Sequence, residues 1–354
     1  MLSRRLGAVA FGACLFVAMA TGAACSQSYA ETVLADGAAP DASTTDDALG
    51  DALGDGDVAE SRDAKPVPTF TELATGFTDL AGVTATETDV YFTELGPGNV
   101  SSVPLAGGSV GAIATATGTP GPIVIAGGFL FWADTGAGKL VRRALTGGPI
   151  TTATPTPGKS PRAIAATADR LVVAAVGGAS GGEIQQYDFA FSPGPSVAGV
   201  ANPFDVALAG ASIYWTESSG SRIGMGTIGG ATNQELTLGE PGCESIAANA
   251  AGVYWTRPDD GLVRMISTMT GAGATTLAAM ELAPMSVTVD DTDVYWLTGD
   301  GLLRRKTLGQ ELPPATLAKG FSSTFIDKRV RAIALTSQYV VWITTDGRVL
   351  RTTK

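Results

Sequence analysis

Gly252-Val253-Tyr254-Trp255-Thr256 reads as a strand of β-branched and aromatic residues entered through a glycine. The same signature stands at Val90-Tyr91-Phe92-Thr93, Leu130-Phe131-Trp132-Ala133, Ile213-Tyr214-Trp215-Thr216, Val294-Tyr295-Trp296-Leu297 and Val340-Val341-Trp342-Ile343. A worn copy sits at Leu171-Val172-Val173-Ala174. With the second aromatic position taken as zero, the copies fall at 92, 132, 173, 215, 255, 296 and 342. A period near 40 residues is the mark of a repeat fold.

The register extends beyond the aromatics. Nine residues before each zero stand Val83, Ile123, Ile164, Val206, Ile246, Val287 and Ile333, all β-branched. Twelve before it, four copies carry Pro120, Pro161, Pro203 and Pro284. A polar turn and an alternating run follow each aromatic strand, as at Gly261-Leu262-Val263-Arg264. Many copies then make a glycine turn, such as Leu145-Thr146-Gly147-Gly148, and a fourth short apolar run, such as Thr276-Leu277-Ala278-Ala279. Four short strands per unit make one blade of a β-propeller, so the chain is expected to be all-β with seven blades. A single blade cannot bury both its faces, and the blades must stack around an axis.

The Val-Tyr-Trp-Thr strands resemble the YWTD propeller repeats of low-density-lipoprotein-receptor-type proteins and their bacterial relatives, over residues 70–354. The family motif ends in Asp, whereas this chain has Glu94, Asp134, Ala175, Glu217, Arg257, Thr298 and Thr344 there. The receptor propellers have six blades. The resemblance therefore implies the architecture and not the receptor's ligand.

The seventh copy runs from Ile333 to Lys354 and supplies three strands. Phe70-Thr71-Glu72-Leu73-Ala74-Thr75-Gly76 matches the fourth-strand form of Thr316-Leu317-Ala318-Lys319-Gly320. Residues 70–76 are thus expected to pair with the last strand and complete the seventh blade, because an unpaired edge would leave backbone donors and acceptors open.

Ahead of the repeats, residues 1–25 read as an export signal, with Arg4 and Arg5 before an apolar run from Leu6 to Ala20. Thr21-Gly22-Ala23-Ala24-Cys25 resembles a bacterial lipobox, which implies lipidation of Cys25. Gly22 departs from the Leu usual in that family. Ser26 after the Cys favours the outer membrane by the same resemblance. Residues 26–65 carry ten acidic residues against Arg62 and Lys65, with almost no bulky apolar side chain. Such a segment cannot offset its ordering entropy and reads as a disordered acidic tether spanning roughly 35 Å or more. Residues 66–354 are expected to form the propeller.

The composition excludes several chemistries. There is no His, so Ser-His-Asp and Cys-His catalysis and His-containing zinc sites are ruled out. A seven-bladed lyase of the virginiamycin-inactivating type, which depends on His, is disfavoured on the same ground. An acidic balance in the propeller speaks against nucleic acid. Cys243 stands at the place of the four prolines and reads as a packed small residue. No catalytic residue, metal ligand or cofactor is expected. Arg142, Arg264, Arg304 and Arg351 recur on third strands and read as stems covering blade edges.

Function in a repeat fold is sought where the copies differ. Eleven residues before each zero, near the channel mouth, stand Ala81, Gly121, Arg162, Phe204, Glu244, Met285 and Arg331, with Asp205 beside Phe204. Arg162, Phe204, Asp205, Glu244, Met285 and Arg331 are the candidate ligand-binding residues. The glycine-rich loop 177–183 and the insertion 319–331 belong to the same face. The expected function is a monomeric, non-enzymatic binding or scaffold module for a protein, peptide or glycan in the cell envelope, held to the membrane only by its N-terminal lipid. The alternative is a carboxylate-dependent polysaccharide hydrolase or lyase. Acids clustered in the channel would favour the second, and a channel plugged by apolar side chains the first.

Overall fold

Each aromatic copy forms the second strand of a four-stranded antiparallel sheet, and seven such sheets follow one another along the chain. The computed structural model describes residues 70–155, 158–177, 181–268, 272–323 and 332–354. The export signal, Cys25, the tether and Arg331 lie outside these residues. Blade 1 consists of Leu80–Ala85, Asp89–Glu94, Asn99–Pro104 and Gly111–Ala114. Blades 2 to 6 repeat this order, with inner strands beginning at Pro120, Ser160, Pro203, Ile246 and Met285. The worn copy is a complete blade, blade 3, with Ser160–Ala166, Arg170–Val176, Gly182–Asp188 and Pro193–Val200.

Blade 7 closes the ring as the sequence implies. Its strands are Ile333–Leu335, Tyr339–Ile343 and Val349–Thr353, and its outermost strand is Thr71–Ala74. Thr71 faces Arg351 and Glu72 faces Leu350 in antiparallel register. The Phe70 ring stands edge-on to Trp342 at 5.8 Å. Two contacts then join blade 7 to blade 1. The Phe77 N–H donates to Gly347 O at 3.2 Å, and Ser337 donates its N–H and hydroxyl to the Glu87 carboxylate at 2.9 and 2.6 Å.

The period-2 alternation of a strand explains the paired aromatics. Position zero points to one face of the blade and the preceding residue to the other. Each face meets a neighbouring blade, so the core is divided into layers between blades. Tyr91 of blade 1 shares a layer with Trp132 of blade 2, Tyr214 with Trp255, and Tyr254 with Trp296. Trp132, Trp215, Trp255, Trp296, Trp342 and Phe92 are fully buried. Truncating any one to Ala is expected to cost about 3–5 kcal/mol.

Blade 3 has only Val173 at zero, and the missing ring is replaced from elsewhere. The turn after Gly182–Asp188 brings Phe189 and Phe191 to within 5.0 and 6.1 Å of Phe131. A Cβ at Gly127 would lie 2.3 Å from the Phe189 ring, so that position has no room for a side chain. Hydroxyls on the second and inner strands tie blade to blade. Thr93 Oγ1 donates to Gly121 O at 2.8 Å, and Thr216 Oγ1 to Glu244 O at 2.6 Å.

The four third-strand arginines are not one repeated position. Arg264 and Arg304 face Trp255 and Trp296, whereas Arg142 and Arg351 face Phe131 and Val341, one residue away and on the opposite side of the sheet. The first two pair with buried glutamates, Glu240 at 3.0 Å and Glu281 at 3.3 Å. The second two lie over rings, Arg142 at 5.0 Å from Phe129 and Arg351 at 4.5 Å from Tyr339. Strand register, invisible in an Arg-by-Arg comparison, separates them.

Candidate functional site

The inner strands begin at the face that also carries the turns between second and third strands, because Pro203 pairs with Glu217 and Met285 with Leu297. This upper face is where the candidate residues fall. In blade 4 the register slips between Pro203 and Val206, and the bulge holds Phe204 and Asp205. In blade 3 the corresponding slip between Pro161 and Ala163 holds Arg162. The bulges bring Arg162 against Phe204 of the next blade, and Asp205 against Ser245 and Ile246 of the one after.

Arg162 and Phe204 are brought together. The guanidinium carbon lies 4.1 Å from the Phe204 ring centroid, and Nη1 is 3.5 Å from Asn202 Oδ1. Phe204 is buried beneath it at 8% exposure, while Arg162 and Met285 keep part of their surface. Next to them Lys159 and Glu183 form an ion pair at 3.2 Å, at the root of the glycine-rich loop of blade 3. Blades 1 and 2 contribute only Ala81 and Gly121 at this level. Among the described residues, the chemistry of the mouth is therefore concentrated on blades 3 to 6.

Asp205 does something else as well. Its Oδ1 accepts the Val206 N–H at 2.8 Å, and its Oδ2 accepts the Ile246 N–H at 3.0 Å and the Ser245 hydroxyl at 3.3 Å. Ser245 Oγ in turn accepts the Val287 N–H at 3.1 Å, and Ser286 Oγ accepts the Ala332 N–H at 2.9 Å. One side chain per blade thus caps the inner strand of the next, from blade 4 to blade 7. Asp205 is 4% and Glu244 7% exposed, so both acids are set into the wall of the mouth. Sequence spacing located Asp205 but could not show that its carboxylate spans two blades.

Below the mouth, the inner strands enclose an axial cavity of about 320 Å³. Thr84, Val124, Ala165, Ala207, Ala247 and Thr288 line it, with no ionisable side chain among its lining residues. Among the described residues that line it, the side chains are aliphatic or hydroxyl-bearing, with no acid cluster.

The buried acids of the upper face are held by partners. Glu217 accepts the Trp215 indole N–H at 2.8 Å, the Ala201 N–H at 2.8 Å and Arg222 Nε at 2.9 Å. Glu240 accepts Trp255 Nε1 at 3.0 Å and pairs with Arg257 and Arg264. Asp134 accepts the Thr119 and Ala137 N–H groups at 3.1 and 3.0 Å. These contacts orient the turns and satisfy buried indoles, a role the sequence reading missed. Its signal was Glu fifteen residues before zero in blades 5 and 6, Glu240 and Glu281. Cys243 is fully buried, and burial pushes its thiol up to about 12, which leaves it a packed, unreactive residue at neutral pH.

Comparison with known proteins agrees on the fold. Virginiamycin B lyase from Staphylococcus aureus superposes with a TM-score of 0.65 at 16% identity, covering 81% of this chain and 98% of that one. A second structure of that lyase, a variant with one His replaced by Ala and described as catalytically inactive, bound to quinupristin, gives 0.64 at 16% identity over 81% and 98%. The WD40 β-propeller domain of Doa1 gives 0.64 at 10% identity over 81% and 98%. No protein-family model matches the sequence, and no curated protein matches it. At these identities the likeness establishes a β-propeller and nothing finer.

Proposed function

We propose that this chain is an exported, lipid-anchored β-propeller that binds a protein, peptide or glycan in the cell envelope without catalysing a reaction on it. The carrying observation is the mouth itself: Arg162 stacked on Phe204, above a cavity whose lining side chains are all non-ionisable. A guanidinium on an aromatic platform offers both hydrogen bonds and apolar area to a ligand. Cys25 anchors the chain and residues 26–65 hold the propeller away from the membrane. The same reading takes the blades as YWTD-like, supported by the Val-Tyr-Trp-Thr strands and by threonine hydroxyls that cross to the next blade.

The enzymatic alternative is weaker. The lyase resembled in fold has a variant, His replaced by Ala, described as inactive, and this chain has no His at all. Carboxylate chemistry in its place needs a pair of acids facing substrate. The buried acids Glu217, Glu240 and Asp134 are instead occupied by indole, backbone and guanidinium donors.

Peptide and glycan arrays probed with the purified protein test the reading. A hit should lose at least about tenfold in affinity with Arg162→Ala, while the variant keeps a cooperative urea transition. Turnover of a polysaccharide, seen as new reducing ends or unsaturated sugars, would refute the non-catalytic reading. Anchoring is tested separately: a fatty-acid analogue fed to cells should label the protein, and Cys25→Ala should abolish the label.

A further inference from the structure

Near the lower end of each third strand, on the face opposite the mouth, one residue lies opposite the first residue of the aromatic run. It is charged in two blades, as Arg143 opposite Leu130 in blade 2 and Lys306 opposite Val294 in blade 6. The two side chains behave differently. Arg143 Nη1 reaches across to Ile113 O on the outermost strand of blade 1, and the cleft between blades 1 and 2 is closed down to about 50 Å³. Lys306 Nζ turns to its own blade, where it donates to Leu312 O at 3.0 Å in the loop after the third strand. The cleft between blades 5 and 6 stays open, at about 600 Å³. That volume falls within the range of small-molecule sites, about 300–1,000 Å³.

The walls of this cleft divide by chemistry. Tyr254, Met265 and Leu277 of blade 5 and Leu308 of blade 6 supply apolar surface. Lys306 and Glu311 supply one charge of each sign. Among the described residues they form no ion pair, either with each other or with any other charge. The ammonium carries three donors and uses one on Leu312 O. Glu311 is exposed. The other charged side chains on the strands that build the cleft are matched. Arg257 and Arg264 pair with Glu240, Arg304 with Glu281, and Arg305 with Asp293. A cleft with apolar walls and one unmatched charge of each sign complements a ligand that is apolar along its body and zwitterionic at its ends.

We propose that the lower cleft between blades 5 and 6 binds short apolar peptides with both ends free, the C-terminal carboxylate against Lys306 and the N-terminal ammonium against Glu311. This site is separate from the Arg162–Phe204 mouth, and its failure would leave the reading of the mouth intact.

Calorimetric titration of the full chain with trileucine tests the proposal. Saturable binding is expected at about 1 mM or below. Acetylating the amino group of the peptide, or amidating its carboxylate, should each weaken binding at least about tenfold, because a charge-assisted contact is lost. Lys306→Met should weaken binding as much as amidation does, and amidation should add little once Lys306 is gone. Glu311→Gln should stand in the same relation to acetylation. Triserine, with the same ends and no apolar body, should bind at least about tenfold more weakly. Lys139→Met, which removes an exposed cation on blade 2, should leave the affinity unchanged. Cooperative urea transitions show that the variants are folded. No binding of trileucine at about 10 mM would overturn the proposal. So would indifference to either cap, or an amidation penalty that persists in full on Lys306→Met. Binding that is lost on Arg162→Ala and kept on Lys306→Met would place the peptide at the mouth, removing this site while supporting the other.

Discussion

The closure of the ring can be locked covalently. Thr71 and Arg351 are directly opposed in the antiparallel pair that joins the outermost strand of blade 7 to its neighbour. Opposed residues in such a pair have Cα atoms about 4.5–5.5 Å apart, inside the range a disulfide spans. Thr71→Cys with Arg351→Cys would close a loop of 281 residues, from position 71 through 351. The chain-entropy relation gives about 5–6 kcal/mol for a loop of that length, an upper figure because engineered bridges often deliver less. Cys243 should not interfere, since it is buried and its thiol is pushed up to about 12. In a chain that also carries Cys14→Ser and Cys25→Ser, mild oxidation should form the bridge without denaturant. The urea midpoint should rise and unfolding should slow, and both changes should vanish on reduction. Failure to cross-link in the native state would refute the pairing. A bridge that forms but leaves unfolding unchanged would show that the ring does not open at blade 7.

Three other outcomes follow from local geometry. Gly224→Ala should destabilise by about 1–3 kcal/mol in urea titrations, because a Cβ there would lie 2.2 Å from the Trp215 ring. Glu240→Ala should cost about 3–5 kcal/mol by the same measurement, since it leaves the Arg257 and Arg264 guanidiniums and the Trp255 indole without their buried acceptor. Burial raises the Asp290 carboxyl, but the Lys354 ammonium at 2.8 Å and the Thr292 and Asp293 N–H groups outweigh it and lower it from 3.8 to about 2. A lowered carboxylate stabilises the fold above its unfolded value and loses that contribution as pH falls from about 4 toward 2. Lys354→Met should thus cost about 1 kcal/mol near neutral pH, after discounting for solvent exposure, and progressively less as pH falls from about 4 through 2.

The paired aromatics, the β-branched residue nine places earlier and the glycine turns reveal the blades because these positions face the layers between them. Burial constrains residue type there, and a constraint applied seven times leaves a period. The closing strand at Thr71–Ala74 was legible for the same reason, since it matches the fourth-strand form of other blades. Partner-dependent features left less trace. Phe189 and Phe191 stand at no repeat position, yet they fill the space left by the small Val173. Arg142 and Arg264 look equivalent in a strand-by-strand reading and lie on opposite faces because, in hairpins of equal length, Arg142 stands ten residues after its zero position and Arg264 nine.

The candidate site divides along the same line. Taken alone, the sequence located variation at the start of the inner strands of blades 3 to 7, because that is where the repeat stops constraining residue type. Only the tertiary structure decided what each varying side chain does there. It set Arg162 on Phe204, turned Asp205 into a cap spanning to blade 5, and drew Glu240 and Glu281 inward against indoles and guanidiniums. Those roles depend on groups forty or so residues away that only ring closure brings within hydrogen-bonding distance. A periodic pattern records which faces are buried, whereas the partner of a polar side chain is fixed by how neighbouring blades meet.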